Sequence, residues 1–196
     1  MSMIRQTTTI PEMIAQSKDV ISNPSVGTFE RYEQRGTVTN AAIYVGIAAA
    51  ISGLLGYTNG IGGLLLGVIS ALVGFFVFTG MVFYIGRSIA GGTGTWDEVA
   101  YTFSLFIAPL IVVGALLGLV VWGFHFIPIL GTLIGLLGLV VSLLILLVQA
   151  YFAYIAVQSS MNILDQSKAL TTLGLAVVGT FVVQIVISAI LAILRF

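Results

Sequence analysis

The chain has 196 residues, 59% of them hydrophobic and only 7% charged, with a net charge of zero and a mean hydropathy of +1.15. A soluble domain this poor in charge would not stay dispersed, and the neutral balance offers no electrostatic footprint for nucleic acid. With no Cys there is no disulfide framework, thiolate nucleophile or Cys-based metal site.

Charged residues gather first in segment 1–38, which contains no apolar run of signal-peptide length, so the first mature span is expected to direct insertion. Thr9 reads as an N-cap with Glu12 three positions on. Ile10, Met13, Ile14 and Ile21 then fall on one helical face, Gln16, Lys18 and Asp19 face away, and Pro24 ends the helix. Such an amphipathic helix lies in the headgroup plane or packs on the cytoplasmic ends of a bundle. A regulatory or partner-docking role is the sharper alternative.

Three stretches then carry no charge at all, 36–86, 99–164 and 169–194. A helical crossing needs roughly 20 apolar residues, so they accommodate two, two and one crossings. The breaks fall at Tyr57-Thr58-Asn59-Gly60-Ile61-Gly62-Gly63 and at Gly123-Phe124-His125-Phe126-Ile127-Pro128, where Asn, Gly and Pro favour turns. The expected spans are 39–57, 62–86, 99–122, 129–157 and 170–194. The fold class is therefore an all-α integral membrane protein, a five-transmembrane-helix bundle (39–196) behind a short cytoplasmic segment (1–38) with an amphipathic helix.

In the second connection, Thr95 and Glu98 form a capping box that starts the third span at Trp96, a residue suited to the membrane interface. Gly91, Gly92 and Gly94 form a loop that follows no strand, lacks the Lys-Ser/Thr of a phosphate loop and leads into Asp97 and Glu98, so a plain turn is expected rather than a nucleotide cradle. Within the spans there is no Asp, Glu, Lys or Arg, which argues against an ion pump. Gln149, close to Tyr151 and Tyr154, and Gln184 are the notable intramembrane polar groups, with interhelical hydrogen bonding as the expected role. The small-residue pairs Ala49/Gly53, Gly67/Ala71, Gly114/Gly118 and Gly131/Gly135 are expected mostly to serve internal helix contacts, and Pro109 to kink the third span. His125, the only histidine, has neither a second ligand nor an orienting acid, and packing at the interface is expected of it. No catalytic residue, cofactor site or metal site is expected: the zinc-protease, nucleophile-elbow and paired intramembrane-aspartate patterns are all missing from the sequence.

Orientation follows from the basic residues. Arg5, Lys18, Arg31, Arg35, Arg87 and Lys168 fall on the N-terminal side and only Arg195 on the other, which puts the N-terminus in the cytoplasm and the C-terminus outside. All seven acids share the cytoplasmic side.

The order Ile21-Ser22-Asn23-Pro24 with Phe29, then Gly91-Gly92-Thr93-Gly94-Thr95 leading into Tyr101-Thr102-Phe103-Ser104-Leu105-Phe106-Ile107-Ala108-Pro109, then a long helix ending at Gln158 and followed by Lys168-Ala169-Leu170, resembles the Yip1-domain family over nearly the whole chain. The resemblance implies five spans with a cytoplasmic N-terminus. Its eukaryotic members act in vesicle traffic and associate with Rab-type GTPases and with each other. The short N-terminal region resembles the bacterial and archaeal members, which implies a prokaryotic cell membrane. The expected function is a non-enzymatic scaffold or adaptor whose cytoplasmic face recruits a protein partner or organises membrane, with lipids and a second copy of the chain as further partners. The candidate residues are Asn23, Pro24, Phe29, Gly92, Trp96, Asp97 and Glu98, expected on one face. The alternative is a small transporter or channel for a neutral or lipidic molecule, its path lined by Gln149 and Gln184.

Overall fold

The computed structural model describes residues 8–55, 60–124 and 126–194. Asn59, His125 and Arg195, and the middle of the first expected turn, lie outside the described residues. Seven helices follow in order: α1 (Ile10–Ser22), α2 (Val26–Glu33), α3 (Val38–Leu55), α4 (Gly60–Ser88), α5 (Trp96–Phe124), α6 (Pro128–Ser160) and α7 (Gln166–Leu194). The last five are each long and apolar enough to cross a membrane. They coincide with the expected spans, most running a few residues further at one end or both, and no strand occurs among the described residues.

Polar side chains start α1, α2, α3, α5 and α7. The Glu12 carboxylate accepts from the Thr9 N–H at 2.7 Å, and the Ser25 hydroxyl accepts from Thr28 N–H at 3.2 Å. Asn40 accepts from Thr37 N–H at 3.2 Å, Glu98 from Thr95 N–H at 2.7 Å, and Asp165 from Ser167 N–H at 2.8 Å. Each satisfies an N–H that the first helical turn leaves unpaired. At the opposite end Pro128 opens α6, where a missing N–H costs nothing.

α5 is the central column, packed on α3, α6 and α4, while α7 lies chiefly against α4. At 1.5 Å per residue the 33-residue α6 is about 50 Å long, roughly 20 Å more than a hydrocarbon core requires. At the charged end Phe152, Ala153, Ile155, Ala156 and Val157 are buried, whereas Leu136, Leu137 and Leu147, earlier in α6, are 58–66% exposed.

The charged end is packed because α1 and α2 form a helical hairpin against it. α1 descends along α5 from Tyr101 toward Pro109, and α2 returns, setting Phe29 against Phe106 and Phe152 with ring centroids 6.2 and 6.4 Å apart. The N-terminal helix thus packs lengthwise on the bundle. Its buried face is Met13, Gln16, Ser17 and Val20, while Ile14 and Ile21 stay outside, which corrects the expected single apolar face. Gln16 points inward because the Tyr101 hydroxyl donates to its Oε1 at 2.7 Å.

α5 runs unbroken through Pro109. Of the expected small-residue contacts, Gly53 lies close to Leu64, whereas a Cβ at Gly67, Gly114, Gly118 or Gly135 would meet nothing within 4 Å.

Candidate functional site at the charged end

The α4–α5 connection is held against the α6–α7 turn by its backbone. Gly91 adopts φ +74°, and Gly92 N–H donates to Gly86 O at 2.8 Å. Thr93 N–H donates to Met161 O at 3.0 Å, and the Asn162 amide to Thr93 Oγ1 at 3.2 Å. A side chain at Gly92 would meet Met161 O at 2.8 Å, and one at Gly94 would overlap the Ser160 carbonyl. The glycines therefore permit two connections to lie backbone to backbone. Asn162, at φ +55°, terminates α6 in the left-handed conformation that Asn tolerates.

Around this joint the surface is mixed. Leu164 is 80% exposed, Ile89 62% and Trp96 43%, with Arg87, Asp165 and Lys168 exposed beside them in sequence. Trp96 also rests edge-on against Phe76, at 6.3 Å between centroids. Asp97 accepts from Val38 N–H at 2.8 Å and so ties the start of α3 to the start of α5. Glu98 completes the capping box with Thr95.

The other candidates are elsewhere. Phe29 is fully buried, so it cannot itself touch a partner in this arrangement; it anchors α2. Gly92 is likewise buried in the joint. Asn23 caps the end of α1, its amide donating to Asp19 Oδ1 at 3.0 Å, and Pro24 follows in the hairpin tip. That tip lies near Ala108 and Pro109, about 18 Å along α5 from Trp96, so the two groups do not form one face. Tyr154 packs on the core, half-buried. Gln149 lines a groove between α5 and α6 with Ser142 and Gly114, whereas Gln184 on α7 lies beside Gly74 of α4. The two glutamines thus occupy different helix pairs.

Sequence reasoning missed two acids that organise the hairpin. Asp19 accepts from the Tyr32 hydroxyl at 2.8 Å and pairs with Arg31 at 3.1 Å; the bonds from Tyr32 and Asn23 hold its carboxyl below the usual range. Glu33 is buried between α2 and α6, where the Ser159 hydroxyl donates to it at 2.6 Å. Burial, with a smaller contribution from the charges of Glu98 and Glu30, pushes its carboxyl up to about 7 despite the Ser159 bond. A sequence signal existed: Phe29 and Glu33, four apart, share a helix face.

The Yip1 domain family model matches residues 18–190, a region that runs from within α1 to within α7 and includes the glycine joint. The chain belongs to this family. Comparison with curated proteins and with solved structures gives no match. As a Yip1-domain chain with five apolar helices it is an integral membrane protein, and its family is associated with membrane trafficking.

Proposed function

We propose that this Yip1-domain protein is a non-enzymatic membrane scaffold that recruits a protein partner at its cytoplasmic face, through the surface where the α4–α5 and α6–α7 connections join. The observation that carries this reading is the backbone-bonded joint, with exposed Ile89, Trp96 and Leu164 and their charged sequence neighbours in and beside the connections it joins. Aromatic and aliphatic anchors inside a polar rim are the usual composition of a recognition surface. The basic residues along the same end favour a cytoplasmic location for it. Within this reading Asp97, Glu98 and Gly92 shape the surface, and Asn23 and Pro24 belong to a separate site. The transport alternative is weaker because Gln149 and Gln184 sit in different helix pairs.

A photocrosslinking residue placed singly at Ile89, Leu164 or Phe126 in the native membrane tests the proposal. One partner band of the same mass is expected from Ile89 and Leu164 and none from Phe126, at the opposite end. Equal crosslinking at all three would refute it.

A further inference from the structure

On the outer side of the hairpin, α1, α3 and the middle of α5 enclose an open groove of about 430 Å³. This volume is within the ~300–1,000 Å³ typical of ligand sites. Its walls are Ile14 and Ile21 of α1, Ile47 and Ile51 of α3, and Pro109 and Val112 of α5. The four isoleucines are 39–55% exposed, and α2, the other helix of the hairpin, carries exposed Glu30 and Arg31, so apolar and charged surface meet beside the groove.

Lys18 is the only charged residue in the lining. Among the described residues it makes no hydrogen bond or ion pair, and its sequence neighbour Asp19 is already engaged by Tyr32, Asn23 and Arg31. Ser22 also lines the groove, while Ser17 and Tyr44 satisfy each other at 3.0 Å.

We propose that this groove seats an anionic phospholipid, one acyl chain lying against the isoleucines and Val112 and the phosphate pairing with Lys18. The apolar walls open to the bilayer, where acyl chains are the abundant occupant. A lone ammonium at the interface complements a phosphate. A water-soluble partner has no comparable reason to enter. This site is about 18 Å along α5 from the recruiting surface, so it stands or falls independently of that reading.

The full chain, reconstituted in phosphatidylcholine vesicles, is photolabelled with an acyl-diazirine phosphatidylglycerol or with phosphatidylcholine bearing the same acyl chain, and labelled peptides are mapped by mass spectrometry. Phosphatidylglycerol is expected to label the Val112 region at least several-fold more than phosphatidylcholine does. Lys18→Glu, at an exposed position, should erase that preference with the thermal midpoint in detergent unchanged. Ile51→Trp, which fills the groove from an exposed position, should reduce Val112 labelling by both lipids and leave Leu136 labelling intact. Equal labelling by the two lipids, or a preference that survives Lys18→Glu, overturns the proposal.

Discussion

Glu33 and Ser159 are 126 residues apart in sequence, and their bond fixes how α2 sits on α6. The carboxyl's ordinary value of 4.5 is raised to about 7 in the folded protein, so the native state holds a proton that the unfolded chain has released. The contribution of Glu33 to stability is then greatest below about 4.5, falls as pH rises to about 7 and levels off above it, by at most ~3 kcal/mol at about 1.36 kcal/mol per pKa unit. Glu33→Gln keeps a hydrogen-bonding amide without the charge. Thermal unfolding in detergent at pH 5.5 and 8.5 should show a drop for the wild type across this interval and a much flatter response for the variant; equal drops would remove Glu33 from the account. Phe29→Ala deletes a fully buried ring and should cost ~3–5 kcal/mol. Faster tryptic cleavage at exposed Arg31 and Arg35 is the corresponding readout, and unchanged cleavage would mean that Phe29 does not anchor α2.

At the scale of elements, the glycine joint makes a contrast that a single family of substitutions can read. Gly94→Ala drives a methyl into the Ser160 carbonyl, and Gly92→Ala into Met161 O, whereas Gly27→Ala in α2 meets nothing within 4 Å. The first two should lower the thermal midpoint, with Gly94→Ala the more severe, while Gly27→Ala should be neutral or slightly stabilising. If all three behave alike, the two connections are not in close backbone contact.

The five long helices were legible because each contains an uncharged run long enough to span hydrocarbon, and the Thr9/Glu12 and Thr95/Glu98 boxes marked two helix starts by local chemistry. What was not legible depends on distant partners. α2 is only eight residues with mixed polarity, and it is held by Phe106, Phe152 and Ser159. The inward turn of Gln16 needs Tyr101, 85 residues away. Phe29 and Asn23 were grouped with Trp96 because all flank the spans in sequence; the descending hairpin separates them.

For the whole molecule, the Arg and Lys residues of the described spans, Arg87 in α4 and Lys168 in α7, fall at one end, which makes orientation testable on a background that has no native Cys. Single Cys residues at Leu164 and Phe126, 80% and 73% exposed at opposite ends, should react differently with an impermeant thiol reagent added to intact cells. Phe126→Cys is expected to be labelled and Leu164→Cys only after permeabilisation. The reverse pattern would invert the topology and place the proposed recruiting surface outside the cytoplasm.

The central claim is that the joined connections recruit a protein. It is tested most directly by native mass spectrometry of the tagged chain gently extracted from its own membrane, as wild type and as the Trp96→Ala/Leu164→Ser double variant. The account predicts a stoichiometric protein partner on the wild type that is lost from the variant, both chains keeping the same thermal midpoint within a few degrees. A wild-type chain that carries only lipid or a small molecule, or a variant that retains the partner in full, would contradict it.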